Sequence, residues 1–499
     1  MIPAPAVNLS AIVPLAFPAF GAVVVLMAEV FLSKRKSDAW IGSALALVSV
    51  GFLALSFIVA AQHFVTGAQI VFDPASPMLR IDRYSSFAIA LIAVASILAC
   101  WLSVAYLAEL RINHGEYYAL LLLATTGMML MVAAVDLITV FLGLELMSIP
   151  IYVLAGFQRR ELRSNESALK YFLIGSFASA VLLYGMALVY GTTGHTDFAA
   201  VRAAFDATNP LALVGLGFLV VGFAFKVSAV PFHQWTPDVY EGAPTSVTAY
   251  MSVGVKVTAF VALLRLLVEA IGPAAVAPSV TSLFWGLAAL TMVVGNLMAV
   301  IQDNVKRMLA YSSIAHAGYL LIGFATATPE AYTAVLYYLL VYVFMNLGAF
   351  TVIVTLAHGG RDRERFDDFA GLARARPGLA ALMTLFMLAL AGIPPTAGFT
   401  AKFVLFGAAV KAGNVTLTIL AVLTSLVSVY YYLRLPVVMW MREPEGEAPR
   451  ASVSTGELVV LATCAVAVLF LGIFPTDAPG FLAPIRVLDW ARASVAMLF

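Results

Sequence analysis

Long apolar runs separated by short polar breaks repeat along the whole chain. Each run is about 20 residues long, the length that a helix needs to cross the hydrocarbon core of a bilayer. The runs occupy residues 11–32, 39–61, 84–107, 117–134, 136–156, 167–190, 211–231, 245–269, 280–301, 308–326, 332–357, 378–409, 414–441 and 456–475. The pattern predicts an all-α polytopic membrane protein with about fourteen transmembrane helices.

Composition agrees with this pattern and excludes several classes of function. Hydrophobic residues make up 62% of the 499 positions and charged residues only 11%, whereas about 25% is usual for a soluble domain. The net charge of +1 points to no nucleic-acid partner. Cys100 and Cys464 lie inside apolar runs without metal-binding or disulfide spacing. With no haem ligand pair or nucleotide-binding loop either, we expect no cofactor in this chain.

Basic residues concentrate in alternate loops, which predicts the orientation of the chain. Sixteen lie in the odd-numbered loops: Lys34, Arg35, Lys36, Arg111, Arg159, Arg160, Arg163, Lys306, Arg307, Arg361, Arg363, Arg365, Arg374, Arg376, Arg442 and Arg450. Six lie on the opposite side: Arg80, Arg83, Arg202, Lys411, Arg486 and Arg492. The odd loops are therefore expected in the cytoplasm, and both termini on the opposite side of the membrane.

Two apolar segments, the seventh and the twelfth, contain helix-breaking sequences. The seventh reaches Pro231 five residues after Lys226, and the twelfth contains Gly392-Ile-Pro-Pro before Lys402. Proline removes a backbone donor and clashes with the preceding turn. Broken helices at membrane depth are tolerated where they line a cavity, and in transporters they mark the binding site. We expect both segments to be broken near functional residues.

The two breaks suggest an internal repeat. Glu145 and Lys226 are 81 residues apart, and His316 and Lys402 are 86 apart, although chance spacing is an alternative. Segments 4–8 and 9–13 would then form two five-helix repeats, and the odd number of helices inverts the second copy. The expected units are residues 1–110 (three N-terminal helices), 111–270 (first repeat), 271–441 (second repeat) and 442–499 (last helix and tail).

Four charged residues lie deep within apolar segments: Glu145, Lys226, Lys256 and Lys402. A charge at mid-bilayer costs roughly 2.5–3.5 kcal/mol on insertion scales, so each is a functional candidate. Lysine can lose its proton when buried and regain it beside a carboxylate, whereas arginine cannot. Glu145 is the expected partner of Lys226; the alternative is an ion pair with a purely structural role.

His316 lies within segment ten and is flanked by hydroxyl residues. Imidazole titrates near neutral pH, so His316 could relay protons between Lys256 and Lys402. The alternative is a packing residue with satisfied hydrogen bonds.

Several other polar residues have simpler interpretations. Arg265 lies near a segment end, where its side chain is expected to reach the headgroups. Lys306 is expected to be a basic anchor in a cytoplasmic loop, and Tyr430, Tyr431 and Tyr432 to be part of an interfacial aromatic belt.

Four motifs resemble the antiporter-like subunits of proton-pumping NADH:quinone oxidoreductase, respiratory complex I. They are residues 143–148 (GLELMS), 222–246 (GFAFKVSAVPFHQWTPDVYEGAPTS), 303–316 (DNVKRMLAYSSIAH) and 392–402 (GIPPTAGFTAK). They span segments five to twelve, and as a set they are specific. Within this family the chain is most similar to the subunit N type, because it has lysine at position 402 and stops soon after segment fourteen.

The resemblance implies a proton-translocating subunit of a translocase, with no redox centre in this chain. It implies that Glu145 and Lys226 form a switching pair, that Lys256 and His316 connect two half-channels, and that Lys402 is the terminal site. It also implies that FMN, iron–sulfur clusters and quinone are bound by partner subunits, and that M-type and K-type subunits are neighbours. An Mrp-type cation/proton antiporter subunit and a membrane subunit of an energy-converting hydrogenase are alternatives, because all three share this line of charges.

Overall fold

A computed structural model of the chain describes residues 7–32, 40–272, 277–357, 362–444, 452–476 and 486–499. Five of the basic loop residues used to predict the orientation therefore lie outside the described residues. They are Lys34, Arg35, Lys36, Arg361 and Arg450.

The described chain is built almost entirely of helices. In chain order they are α1 (Val13–Leu32), α2 (Trp40–Thr66), α3 (Arg83–Glu109), α4 (Gly115–Ala133), α5 (Leu137–Ala155), α6 (Leu162–Thr193), α7 (Phe198–Ala204), α8 (Pro210–Val227), α9 (Trp235–Gly242), α10 (Thr245–Arg265), α11 (Pro278–Val300), α12 (Val305–Thr326), α13 (Pro329–Thr355), α14 (Leu372–Ala375), α15 (Pro377–Ala391), α16 (Ala397–Lys411), α17 (Val415–Met441), α18 (Thr455–Ile473) and α19 (Val487–Val495). Helix α10 continues as a π-helical turn over Leu266–Ile271. A two-stranded antiparallel hairpin, β1 (Ile70–Val71) and β2 (Arg80–Ile81), precedes α3.

Thirteen of the described helices are long and apolar enough to cross a membrane. The twelfth predicted segment is divided between α15 and α16, each of 15 residues, so the expected fourteen segments are accounted for. The prediction of a polytopic all-α membrane protein with broken seventh and twelfth segments is confirmed.

Both breaks begin with a residue in the left-handed conformation. Ser228 (φ 63°) ends α8 and Gly392 (φ 85°) ends α15. A left-handed residue stops a helix because it turns the chain away from the helix axis, and proline soon afterwards prevents its continuation. Since α8 stops at Val227, His233 does not share a helical face with Lys226, as a continuous helix would have required.

The helices α4 to α10 and α11 to α17 share several local features. Asp136 caps α5 and forms a β-bridge with Asp197 after α6, and Asn304 caps α12 and forms a β-bridge with Arg365 after α13. The two caps are 168 residues apart in sequence. Asp136 therefore has a definite structural role in fixing the start of α5.

Close glycine contacts repeat with the same offset. Gly127 on α4 lies against the main chain of Met147, and Gly295 on α11 lies against the main chain of Ala315. In this register Ser148 matches His316. The sequence spacing matches Glu145 with His316, and the observed register differs from that match by about one helical turn.

Burial separates the central helices from the periphery. The most apolar 18-residue windows of α10 and α12 are fully buried, whereas those of α1 and α2 are about one-third buried or less. A helix that is buried on all sides needs no charged surface, so polar residues inside α10 and α12 require partners from other helices. Those partners define the candidate site.

Candidate functional site

Lys226 lies in the last turn of α8 and is 2% exposed. Its Nζ donates to the Ser148 Oγ at 2.8 Å and to the Tyr152 hydroxyl at 3.3 Å, both on α5. Ser148 uses its own proton to bond the Leu144 carbonyl, so its oxygen accepts from the amine. The amine also lies 5.4 Å from the centre of the Tyr152 ring, a distance at which an ammonium is attracted to the aromatic face.

Glu145 shares the face of α5 that Lys226 contacts. It precedes Ser148 by three residues and Tyr152 by seven, spacings that bring side chains to one side of a helix. Glu145 and Lys226 are both described, and no ion pair within 4.0 Å joins them; the Glu145 Oε1 is buried without a hydrogen bond from any described residue. The predicted switching pair is thus close together but not in contact in this conformation.

Lys256 lies in the middle of α10 and is 1% exposed. Its Nζ donates to the main-chain carbonyl of Ser313 on α12. The Ser313 Oγ accepts in turn from the Tyr342 hydroxyl at 2.9 Å. Lys256 is therefore far from any headgroup position and is anchored on the neighbouring buried helix.

His316 lies one turn beyond Ser313 on α12, and its two ring nitrogens both have partners. Nδ1 is 2.7 Å from the Tyr338 hydroxyl and Nε2 is 3.1 Å from the Tyr432 hydroxyl. The Tyr432 hydroxyl also bonds Ser312. Because each hydroxyl can donate or accept, the imidazole can change tautomer without losing a hydrogen bond.

Tyr432 was missed as a site residue, and the interpretation of the tyrosine run as an interfacial belt is wrong for two of its three members. Tyr431 and Tyr432 are each 1% exposed, and only Tyr430, at 65%, faces outward. Tyr431 donates to the Asn296 Oδ1 at 3.0 Å. Helical periodicity could have shown that three successive residues point in different directions, but not that Tyr432 meets His316.

Lys402 lies on α16, after the second break, and is 5% exposed. Its Nζ donates to the carbonyls of Leu390 at 3.2 Å and Ala391 at 2.8 Å, and to the Ser425 Oγ at 2.8 Å. These three acceptors match the three protons of an ammonium group. The two carbonyls belong to the last turn of α15, where main-chain oxygens have no helical partner and carry the negative end of the helix dipole.

An apolar groove of about 670 Å³ reaches Lys402 between α16 and α17. Its lining includes Phe399, Phe403 and Leu426, all exposed on the surface of this chain.

The structure thus joins the predicted residues in two groups. Helix α5 brings Glu145 and Lys226 together. Helix α12 lies between Lys256 and Lys402, because Ser313 binds Lys256 and the Tyr319 ring centre is 5.0 Å from the Lys402 Nζ. No hydrogen bond between described residues connects Lys226 directly to Lys256.

Arg265 does not reach the headgroups as expected. It is 1% exposed, donates to Asp82 and to the Val132 carbonyl, and lies 3.4 Å from Glu269. Arg80 bonds the same two carboxylates. Burial by itself would raise the pKa of the Asp82 carboxyl, but the two guanidinium groups lower it to about 2. The cluster fixes the end of α10 to the start of α3.

Lys306 is also not a solvated anchor, because only 1% of it is exposed. Its Nζ donates to the Ala243 carbonyl at 2.9 Å and lies 3.5 Å from Asp362. Its neighbour Arg307 bonds Asp238 at 2.7 Å. Burial tends to raise the pKa of the Asp238 carboxyl, but hydrogen bonds from Lys170 and Arg307 hold it below its usual range.

Metal binding receives no support from the part of the chain that the structure describes. No group of three or more His, Cys, Asp or Glu side chains there could hold an ion. The chemistry that this arrangement can perform is proton binding and release at buried amines, an imidazole and hydroxyls.

Comparisons with known proteins agree with this chemistry. The family model described as NADH:quinone oxidoreductase/Mrp antiporter, TM, matches residues 134–428. The NADH-quinone oxidoreductase subunit N of Trichlorobacter lovleyi is 46% identical over 498 residues, which cover 99% of this chain and 98% of that protein.

Two solved structures share the fold of this chain but differ in how similar their sequences are to it. A chain of respiratory complex I from Thermus thermophilus, 33% identical, covers 94% of this chain and 98% of its own length with a TM-score of 0.79. A chain of the Mrp complex from a Dietzia species has a TM-score of 0.83 and 97% coverage of both chains, but only 23% identity, so it shows the scaffold alone. The sequence relatives do not favour the Mrp alternative. The chain belongs to the family of NADH-quinone oxidoreductase subunit N, the antiporter-like, proton-translocating membrane subunit of respiratory complex I.

Proposed function

We propose that protons cross this subunit along Glu145, Lys226, Lys256, His316 and Lys402. The observation that carries the proposal is that three lysine amines, on α8, α10 and α16, are each buried and held by hydroxyl or carbonyl groups. A buried ammonium without a counter-ion is costly. Amines that exchange protons gain from such an environment, because the neutral and charged forms become closer in free energy.

An ion pair between Glu145 and Lys226 would have an interaction energy similar to the free energy needed to move one proton across the membrane. Opposite charges about 4 Å apart interact by about 4 kcal/mol at an effective dielectric constant of 20. Moving one proton against about 150 mV costs about 3.5 kcal/mol. If Glu145 approaches and leaves Lys226, the change in interaction is large enough to drive one transport step.

The two halves of the chain have different roles in this proposal. Residues 111–270 form the first repeat and 271–441 the second, inverted repeat, between 1–110 and 442–499. The matching caps, bridges and glycine contacts support this division. Protons load through the first repeat, pass Lys256 and His316, and leave at Lys402.

The proposed location is a bacterial inner membrane, with both termini in the periplasm. The basic loops that the structure describes support this orientation, since Arg163 and Lys306 lie at the same end of the bundle. Transport then runs from the cytoplasm to the periplasm.

Electron transfer is assigned to partner subunits that bind FMN, iron–sulfur clusters and quinone. M-type and K-type subunits are the proposed neighbours within the membrane. The apolar groove beside Lys402 supports the proposal that a partner subunit covers this surface. If lipid filled the groove instead, the Lys402 amine at its floor would lie next to acyl chains, which is unfavourable.

Replacing Lys256 by methionine in the assembled complex tests the proposal. Lys256→Met keeps the length of the side chain and removes the proton site, so NADH-driven proton translocation by membrane vesicles should fall by about a hundredfold, the lower range of effects for acid–base groups. Arg492→Met is the control, because Arg492 is an exposed basic residue on α19 and outside the proposed line of residues. Wild-type translocation by a fully assembled Lys256→Met complex would exclude Lys256 from the pathway.

A further inference from the structure

A polar pocket of about 430 Å³ opens at the end of the bundle where α9 meets α10. Its walls come from the start of α6, the α9–α10 junction, the start of α12 and the segment after α13. The charged residues that line it are Glu161, Arg163, Glu241, Lys306, Asp362 and Glu364. Both signs of charge are present, so the pocket suits water and protons better than a single ionic ligand.

Lys306 and two carboxylates form the buried side of this pocket. The Lys306 Nζ lies 3.5 Å from the Asp362 carboxylate and 3.6 Å from the Glu364 carboxylate. The amine is shielded almost completely from solvent, whereas Glu364 retains 15% side-chain exposure. A proton that arrives from water therefore meets a carboxylate before it meets the amine.

Asp362 connects the pocket to the first turn of α10. Its Oδ2 accepts from the Thr245 hydroxyl at 2.8 Å and from the Tyr106 hydroxyl at 2.9 Å. Thr245 is the first residue of α10, the helix that carries Lys256. The acidic group thus lies at the start of the helix that leads to the central lysine.

A stripe of polar residues runs along one face of α10 from Thr245 to Lys256. The members are Thr245, Thr248, Ser252 and Lys256, whose spacings of three, four and four residues keep them on one side of a helix. All four are buried. Side chains one turn apart lie about 5–6 Å from each other, so one water molecule can bridge each step.

Asn346 on α13 faces the same stripe. Its Nδ2 donates to the Ser252 Oγ at 2.6 Å, and the residue is fully buried. Its Oδ1 receives no hydrogen bond from any described residue. A buried amide oxygen is rarely left without a donor, so this atom points to a water-binding position one turn from Lys256.

We propose that the pocket at Lys306, Asp362 and Glu364 is a proton-uptake mouth, and that the stripe on α10 delivers protons from it directly to Lys256. A carboxylate takes up a proton from water. Each hydroxyl or bridging water then accepts one proton and passes another on, until the Lys256 amine accepts it at its lone pair. Nothing is consumed, and the carboxylate is regenerated. The inference rests on the proposed proton pathway and adds a separate supply of protons to Lys256, so that transport requires both this supply and the switching of Lys226.

Removing two hydroxyls of the stripe tests the route. Thr248→Val combined with Ser252→Ala preserves the shape of the side chains but removes two hydroxyls of the proposed route. Proton translocation per NADH oxidised should fall by about tenfold, because neighbouring buried polar groups lose their hydrogen-bond partners and the barrier to proton transfer rises. Ser246→Ala is the matched control, since this buried hydroxyl on another face of α10 bonds Tyr117. If the double variant translocates normally while Lys256→Met does not, the α10 route is wrong and the proposed function stands.

Chemical modification at the pocket entrance tests the proposed uptake mouth without changing any residue of the α10 stripe. Glu161→Cys introduces a thiol at the rim, whereas Cys100 and Cys464 are buried and protected from a charged methanethiosulfonate reagent. In inverted vesicles, modification should lower translocation at least about threefold relative to treated wild type, since bulk in the pocket excludes water. Glu116→Cys, exposed at the same end of the bundle but outside this pocket, should be insensitive. Full translocation after complete modification of Glu161→Cys would overturn the proposed mouth.

Discussion

The two broken helices, α8–α9 and α15–α16, have similar breaks but hold their lysines in different ways. Lys226 precedes its break, and the carbonyl of Phe225 at that break accepts from the Ser228 amide and from the Trp235 indole, the latter at 3.2 Å. Lys402 follows its break and itself takes the freed carbonyls of Leu390 and Ala391. The first lysine therefore depends on side chains of α5, and the second depends mainly on main-chain oxygens.

The two sets of ligands suit the two lysines to different roles in the proposed pathway. Side chains can move or change protonation, and Glu145 lies one turn from the Ser148 ligand of Lys226. Main-chain carbonyls at a helix end carry a fixed partial charge and cannot titrate. Lys226 is thus suited to respond to a neighbour, whereas Lys402 has a constant environment, which suits the proposed role of a terminal release site.

Lys226→Arg should have the strongest effect on this contrast. Arginine keeps a positive charge but does not lose its proton, so proton translocation should fall by about a hundredfold even though the electrostatics of the site are retained. Lys226→Met should be equally inactive in the same vesicle assay. Normal translocation by the Lys226→Arg complex would mean that the first break needs only a fixed charge, and the contrast with Lys402 would disappear.

A smaller effect is expected from Glu145→Gln. The amide keeps the size of the side chain but removes the charge that stabilises protonated Lys226, so translocation should fall by about tenfold, the factor for ~1.4 kcal/mol. Glu116→Gln, an exposed carboxylate at the start of α4, is the control. A Glu145→Gln complex with the wild-type rate at every pH would show that Lys226 is not switched by this carboxylate.

The smallest effects should distinguish the two sets of ligands directly. Ser148→Ala leaves Lys226 with one long hydrogen bond to Tyr152, so translocation should fall by about fivefold, near the value of one hydrogen bond. Ser425→Ala leaves both carbonyls on Lys402 and should change the rate by less than about twofold. Equal losses in the two variants would contradict the proposed difference between side-chain and main-chain ligands.

The sequence was sufficient for features that depend on local patterns. Apolar runs of membrane length predicted the helices, and proline inside two of these runs predicted the breaks near Lys226 and Lys402. A lysine in the middle of an apolar run, such as Lys256, stands out because burying a charge is costly. Each of these signals comes from residues no farther than about one helix length in sequence from the residue that it identifies.

Features that depend on contacts between residues far apart in sequence could not be predicted from local patterns. Tyr432 meets His316 across 116 residues of sequence, and Asp82 meets Arg265 across 183. Near a segment end, a basic residue that reaches the headgroups and one that is paired inside the bundle have the same local pattern. The partner decides between them, and only the packing of the helices supplies it.

The carbonyl ligands of Lys402 have a consequence for inherited variation. Two of its three acceptors are atoms that every amino acid possesses, and they are exposed by the shape of the chain at Gly392. No codon change at Leu390 or Ala391 can delete these oxygens; only a change that straightens the break can. Mutations that inactivate the proposed exit are therefore expected to cluster at the turn and at Lys402 itself, while the residues whose oxygens bind the amine can vary.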